Sequence, residues 1–140
     1  MTGQQVLDAL EWGARAVPSE NGGFLQVSGL TYEIHTGVAS SAEKDENGMF
    51  TRVSGEYRVK NVMVGGQPLE LDKTYTLASH NYMLLGHGDG YTMFDGCEVL
   101  GEDMMVDNQV LITYITTTLG GVVGEQYANP YGDGRIVAVE

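Results

Sequence analysis

Two glycine-rich stretches constrain this chain more than any other feature: residues 22–30, Gly-Gly-Phe-Leu-Gln-Val-Ser-Gly-Leu, and residues 79–91, Ser-His-Asn-Tyr-Met-Leu-Leu-Gly-His-Gly-Asp-Gly-Tyr. Each sets an aromatic ring beside pliant backbone and a polar anchor. That combination suits a flat heterocycle, which aromatic side chains can sandwich, and sugar hydroxyls, which a carboxylate can accept from. Asp89, flanked by Gly88 and Gly90, is acceptor-only when ionised and can take two hydrogen bonds from a vicinal diol. Gln26, two residues beyond Phe24 and on the same face of an extended segment, can reach a base edge. Simpler readings stay open. Phe24 beside Leu25 and Val27 can be ordinary core, and residues 86–90 can be a flexible turn. The second stretch has neither the spacing of a dinucleotide-binding fingerprint nor the alternating acids of an EF-hand loop. His80, His87 and Asp89 are the only candidate metal set in it, and a weak one.

The remainder of the chain supplies a scaffold. Thr2 and Gln5 form a capping-box pattern ahead of Val6, Leu7, Leu10, Ala14 and Val17 at helical spacing, which predicts a helix over residues 3–16, stopped near Pro18. Residues 24–28 and 30–34 read as strand segments broken at Gly29 by a bulge or a close backbone approach. Residues 36–48 are polar and aperiodic and read as a surface loop. Strands are expected over 57–64 and 68–71, joined by a tight Gly65-Gly66 turn, and again over 74–79. A last helix begins at Asp107 or a neighbour, carries Val110, Leu111, Tyr114, Ile115 and Leu119 as its apolar stripe, and ends at Gly120-Gly121; residues 135–139 close the chain as a strand. This order predicts an α+β fold in one domain over residues 1–140, with helices covering mixed β-sheets.

Seven basic against nineteen acidic residues give a net charge of −12, which repels phosphate backbones and argues against a nucleic-acid partner. No apolar run approaches the ~20 residues of a membrane span. Cys97 has no second cysteine to pair with and reads as a buried filler, and the seven methionines read as core filling.

The two stretches, with Thr2-Gly3, residues 64–69 and 73–78, residues 121–127 and the closing Gly134-Arg135-Ile136, resemble the C-terminal substrate-binding domain of the 5'-nucleotidase family. The resemblance implies two sheets between helical layers, an α/β/β/α arrangement. It implies that Phe24 and Tyr82 stack on a base, with Gln26 at its edge, and that the Gly88–Asp89 turn holds the ribose of a nucleotide or nucleoside. Two departures stand out: Tyr82 where several relatives have Phe, and His87 in place of the first glycine of Gly-Gly-Asp-Gly. A glycine-like conformation at that position would strain His87 unless Gly86 absorbs the turn.

The resemblance further implies that the chemistry belongs to a separate N-terminal metallophosphatase domain holding two divalent metals. This chain would be the later part of a substrate-binding domain from a secreted, periplasmic or cell-surface hydrolase, beginning after an Asn-Gly-Gly-Gly-Ile-Arg stretch and inactive alone. The alternative is a stand-alone binding or structural module that keeps the fold without the enzyme. A chain cut at that boundary is expected to self-associate through an uncovered sheet edge or apolar face.

Overall fold

The computed structural model describes residues 1–140, which form two compact units: residues 1–97 with 134–140, and residues 98–133. The first unit is built around helix α1, Gly3–Ala14. Thr2 caps it as the sequence predicts, its hydroxyl accepting from Gln5 N while the Gln5 side chain accepts from Thr2 N at 2.7 Å. The next free amides, Gly3 and Gln4, donate to the Lys73 and Leu71 carbonyls at 2.9 Å, so the start of the helix is closed by distant chain.

Two faces of α1 are covered. Leu10 and Ala14 pack with Val6, Leu7 and Val17 against Tyr32, Ile34, Val59 and Val62 of a four-stranded sheet. Ala9 and Trp12, on another face, pack against Phe50, Met83, Tyr91, Met93 and Phe94. Burial of Tyr32 in the first cluster pushes its phenol up to about 12.

The sheet contains β1 (Leu30–His35), β4 (Val59–Val64), β5 (Gln67–Pro68) and β6 (Ile136–Val139), in the order β5-β4-β1-β6. The β1–β4 and β4–β5 pairs are antiparallel and β1–β6 is parallel, so the sheet is mixed and the fold α+β. Gly65-Gly66 makes the expected turn between β4 and β5, and the Gly29 carbonyl accepts from Gly65 N at 2.9 Å, the close approach foreseen at that glycine.

Three expectations change. Residues 24–28 join no strand; Leu25 packs against both core clusters, Phe24 and Val27 against one, and Arg135 Nη1 donates to the Val27 carbonyl at 2.5 Å, so their apolar alternation is satisfied by core packing rather than by strand pairing. Residues 36–48 are more than a loop: β2 (Ala42–Lys44) pairs antiparallel with β3 (Phe50–Val53), the turn between them held by Asp45 Oδ1, which accepts from Asn47 N and Met49 N at 2.9 and 2.8 Å. Residues 74–79 contribute one bridge, Thr74 to Thr2, because the chain there pairs with its own N-terminus rather than with the sheet.

In the second unit α3 (Asp107–Thr113) continues as a π-turn over Tyr114–Thr118. Gly120 and Gly121, both at positive φ, end it, with Gly121 N donating to the Ile115 carbonyl at 2.8 Å. No residue of α3 is buried; of the predicted stripe, Ile115 and Leu119 are half-buried while Val110, Leu111 and Tyr114 are exposed.

Candidate functional site

The second glycine-rich stretch opens with a single helical turn, α2 (Asn81–Leu84), which buries Met83 in the core and turns Tyr82 outward, 57% exposed. The chain then folds back so that Gly88 lies under the Tyr82 ring. A β-carbon at Gly88 would overlap the ring atoms Cδ1, Cε1 and Cζ, so only glycine lets the ring sit there. From this position the Tyr82 hydroxyl reaches Asp89 Oδ1 at 3.5 Å, the outer limit of a hydrogen bond.

Asp89 is exposed and left-handed, with φ 55° and ψ 19°. Such a conformation costs a residue with a β-carbon on the order of 1 kcal/mol and persists where the surroundings fix it. Several contacts do so. Trp12 Nε1 donates to the Asp89 carbonyl at 2.9 Å. The Gly48 carbonyl of the β2–β3 turn presses against Gly90, and Thr92 Oγ1 donates to the Phe50 carbonyl at 2.6 Å. His87 is left-handed as well, at φ 53°, whereas Gly86 has no positive φ, so the anticipated relief through Gly86 does not occur. Instead His87 Nε2 lies 2.5 Å from Asp95 Oδ1, a contact that anchors the strained residue.

The first stretch meets the second here. The buried Gly23 faces the Asp89 side chain, where a β-carbon would come within 2.9 Å of Asp89 Cβ and 3.4 Å of Oδ2. Tyr91 Oη, fully buried, donates to the Gly23 carbonyl at 2.5 Å, pinning the stretches together, and burial pushes its phenol well above the usual range. The predicted residues Gly88, Asp89 and Tyr82 therefore share one surface with Gly23. Gln26 is exposed further along. Phe24 is half-buried, and part of its ring is committed to the cluster around Leu10 and Tyr32.

No three His, Cys, Asp or Glu side chains converge anywhere in the chain. The weak metal set of the sequence is divided: the His80 ring lies 5.9 Å from that of Tyr82, while His87 sits on Asp95.

Residues 1–96 match the family model described as the 5'-nucleotidase C-terminal domain. The chain belongs to the 5'-nucleotidase family. Among curated relatives it is 30% identical to the 5'-nucleotidase of Vibrio vulnificus over 82% of its length, and 30% identical over 99% of its length to the trifunctional nucleotide phosphoesterase protein YfkN of Bacillus subtilis. A 57-residue segment is 42% identical to the protein UshA of Yersinia enterocolitica. The chain spans 17%, 8% and 10% of these relatives, so it matches a small part of each. The crystal structure of a 5'-nucleotidase precursor from Thermus thermophilus superposes over 99% of the chain with a TM-score of 0.75 at 26% identity, covering 24% of that protein. A 5'-nucleotidase from Staphylococcus aureus, solved with alpha-ketoglutarate, shares the fold at a TM-score of 0.64 and 21% identity.

His87, where the resemblance leads one to expect glycine, takes a left-handed conformation. Trp12 of α1 and Arg15 at its C-cap were not singled out by sequence reasoning. The available signal was the position of Trp12 off the Val6–Leu10–Ala14 stripe, a large aromatic on a second helix face.

Proposed function

We propose that this chain is the base- and ribose-recognising part of a 5'-nucleotidase-like phosphoester hydrolase, with hydrolysis carried by a metallophosphatase domain that binds two divalent metals elsewhere in the full-length enzyme. The observation that carries the reading is the convergence on one surface of an exposed aromatic ring, a buried glycine and a left-handed aspartate. Tyr82 offers its face to a base, Asp89 accepts from the ribose hydroxyls, and Gly88 allows the two to stand close. Gln26 reaches a base edge. Phe24 lines the opposite side with whatever part of its ring the core leaves free, so stacking rests mainly on Tyr82. Family membership supports placing the enzyme outside the cytoplasm. No helix is long and apolar enough to cross a membrane. Self-association of the isolated chain belongs to the same reading, through the open edges of β5 and β6.

Kinetics of the full-length enzyme test this. A stacked base contributes about 1–3 kcal/mol and stays stacked through the transition state. Tyr82→Ala should therefore raise KM about tenfold or more with kcat little changed. Asp89→Asn should weaken ribonucleotides more than 2',3'-dideoxynucleotides, since only the former present the diol. Unchanged KM in a folded Tyr82→Ala enzyme, or equal weakening of both sugars by Asp89→Asn, contradicts the assignment.

A further inference from the structure

Arg15 stands one helical turn beyond Trp12, with its guanidinium carbon 3.7 Å from the centroid of the Trp12 ring and Nη1 donating to the Trp12 carbonyl at 2.6 Å. The same indole donates its N–H to the Asp89 carbonyl at 2.9 Å. One buried side chain thus seats Arg15 on its face and Asp89 at its edge. Burial lowers the Arg15 pKa, and the nearby Tyr91 and Asp89 oppose that only in part.

Four other basic groups are committed differently. Arg52, Lys60 and Lys73 pair with Glu43, Glu56 and Glu70 at 2.8, 2.5 and 3.1 Å. Arg58 is buried, with Nη1 on the Ala14 and Val17 carbonyls. Arg15 makes no ion pair at salt-bridge distance and uses Nη1 on a backbone carbonyl, so most of the five guanidinium donors remain for other acceptors.

A vicinal diol needs both kinds of partner. Its two hydroxyls each donate one hydrogen, which a carboxylate can accept together, and each keeps lone pairs that call for a donor. A carboxylate alone leaves those lone pairs to water. A guanidinium beside it supplies what the carboxylate cannot, in a rigid planar fork that an ammonium does not reproduce.

We propose that Arg15 and Asp89 form a donor–acceptor couple that grips the sugar diol, with Arg15 donating to the hydroxyl oxygens whose hydrogens Asp89 accepts. This rests on the reading of the surface as a nucleoside site and adds to it a ligand-facing residue at the C-cap of α1. The stacking on Trp12 is what holds the guanidinium in place, so recognition of the sugar is built on the first core-facing helix as well as on the glycine-rich turn.

Binding of adenosine and 2',3'-dideoxyadenosine to the 140-residue chain, followed by NMR titration, tests the couple. The wild type should prefer adenosine. Arg15→Met keeps an apolar stem over Trp12 and removes the donors; it should lower adenosine affinity by about tenfold, the worth of a hydrogen bond from a charged group, with little change for dideoxyadenosine. Arg15→Lys should recover only part of the preference. Retained dideoxyadenosine binding reports that each variant is folded. If the wild type discriminates and Arg15→Met discriminates equally well, the couple is wrong while the nucleoside reading stands. If the wild type binds neither nucleoside, or binds both equally, the ribose reading itself fails and the couple falls with it.

Discussion

Replacing Trp12 by alanine should remove a large share of the stability of the chain's first unit. Trp12 is 1% exposed, meets Phe50 edge-on at 5.6 Å, carries the Arg15 guanidinium on its face and donates to the Asp89 carbonyl. Truncation of a buried tryptophan costs about 3–5 kcal/mol, against a total stability of about 5–15 kcal/mol for a typical domain. Trp12→Phe keeps part of the apolar body and loses the N–H with the rest of the indole. Because Asp89 is exposed and its carbonyl can turn to water, that variant should lose far less, about 1 kcal/mol beyond its packing deficit, while loosening the turn that presents the carboxylate. Urea denaturation of the two variants checks both figures. A Trp12→Ala chain within 1 kcal/mol of wild type contradicts the role given to the residue.

A comparable loss is expected on the other side of α1, where Glu11 and Arg58 are buried at 0% and 3% exposure. Glu11 Oε2 accepts from Val59 N at 2.9 Å, and Arg58 Nη1 ties the end of α1 to the sheet through the Ala14 and Val17 carbonyls at 3.2 and 2.9 Å. Glu11 Oε1 and Arg58 Nε have no hydrogen-bond partner. Arg58→Ala takes the charged donor away from the Ala14 and Val17 carbonyls, and a buried acceptor left unpaired costs about 1–3 kcal/mol, so urea denaturation should show a loss approaching that of Trp12→Ala.

The same carboxyl gives a pH signature. Burial holds Glu11 above its ordinary 4.5, with the Val59 and Arg58 interactions opposing that rise only in part. The folded chain therefore keeps a proton that the unfolded chain has released. Its contribution to stability is full below pH 4.5 and is lost as the pH rises through the folded value. Glu33, Glu43 and Glu56 behave in the opposite sense. Hydrogen bonds from His35, Arg52 and Lys60 hold them below 4.5, so their contribution is present above that pH and is lost as the pH falls through their folded values. Glu11→Gln should flatten the decline above pH 4.5 and leave the acid side unchanged. A decline that persists in Glu11→Gln assigns it to another group.

The contrast between what the sequence discloses and what it hides follows from where each residue finds its partners. The Thr2/Gln5 cap, the Val6–Leu10–Ala14 stripe and the Gly65-Gly66 turn are legible because their partners lie within a few residues. Residues 24–28 alternate like a strand, but their apolar side chains are satisfied by the two core clusters without strand pairing, and periodicity alone does not distinguish the two. β2 is hidden because Ala42-Glu43-Lys44 is short and polar, and its place is secured by Phe50 of β3 packing on Trp12. In the site, Tyr82, Gly88 and Asp89 announce themselves as a compact motif. Gly23 does not, because what it makes room for is an aspartate 66 positions away. Trp12 and Arg15 read as unremarkable helix residues until the chain folds the glycine-rich turn onto them.

The central claim, that this surface recognises the base and ribose of a nucleotide, is tested most directly by titrating the isotope-labelled chain with AMP and following its backbone amides. The account predicts saturable shifts centred on residues 22–26 and 82–90, mirrored in reduced form by Tyr82→Ala, with AMP recovered intact after incubation with added divalent metal. Saturable shifts confined to other parts of the chain, no saturable shift at all, or metal-stimulated release of phosphate from AMP would contradict it.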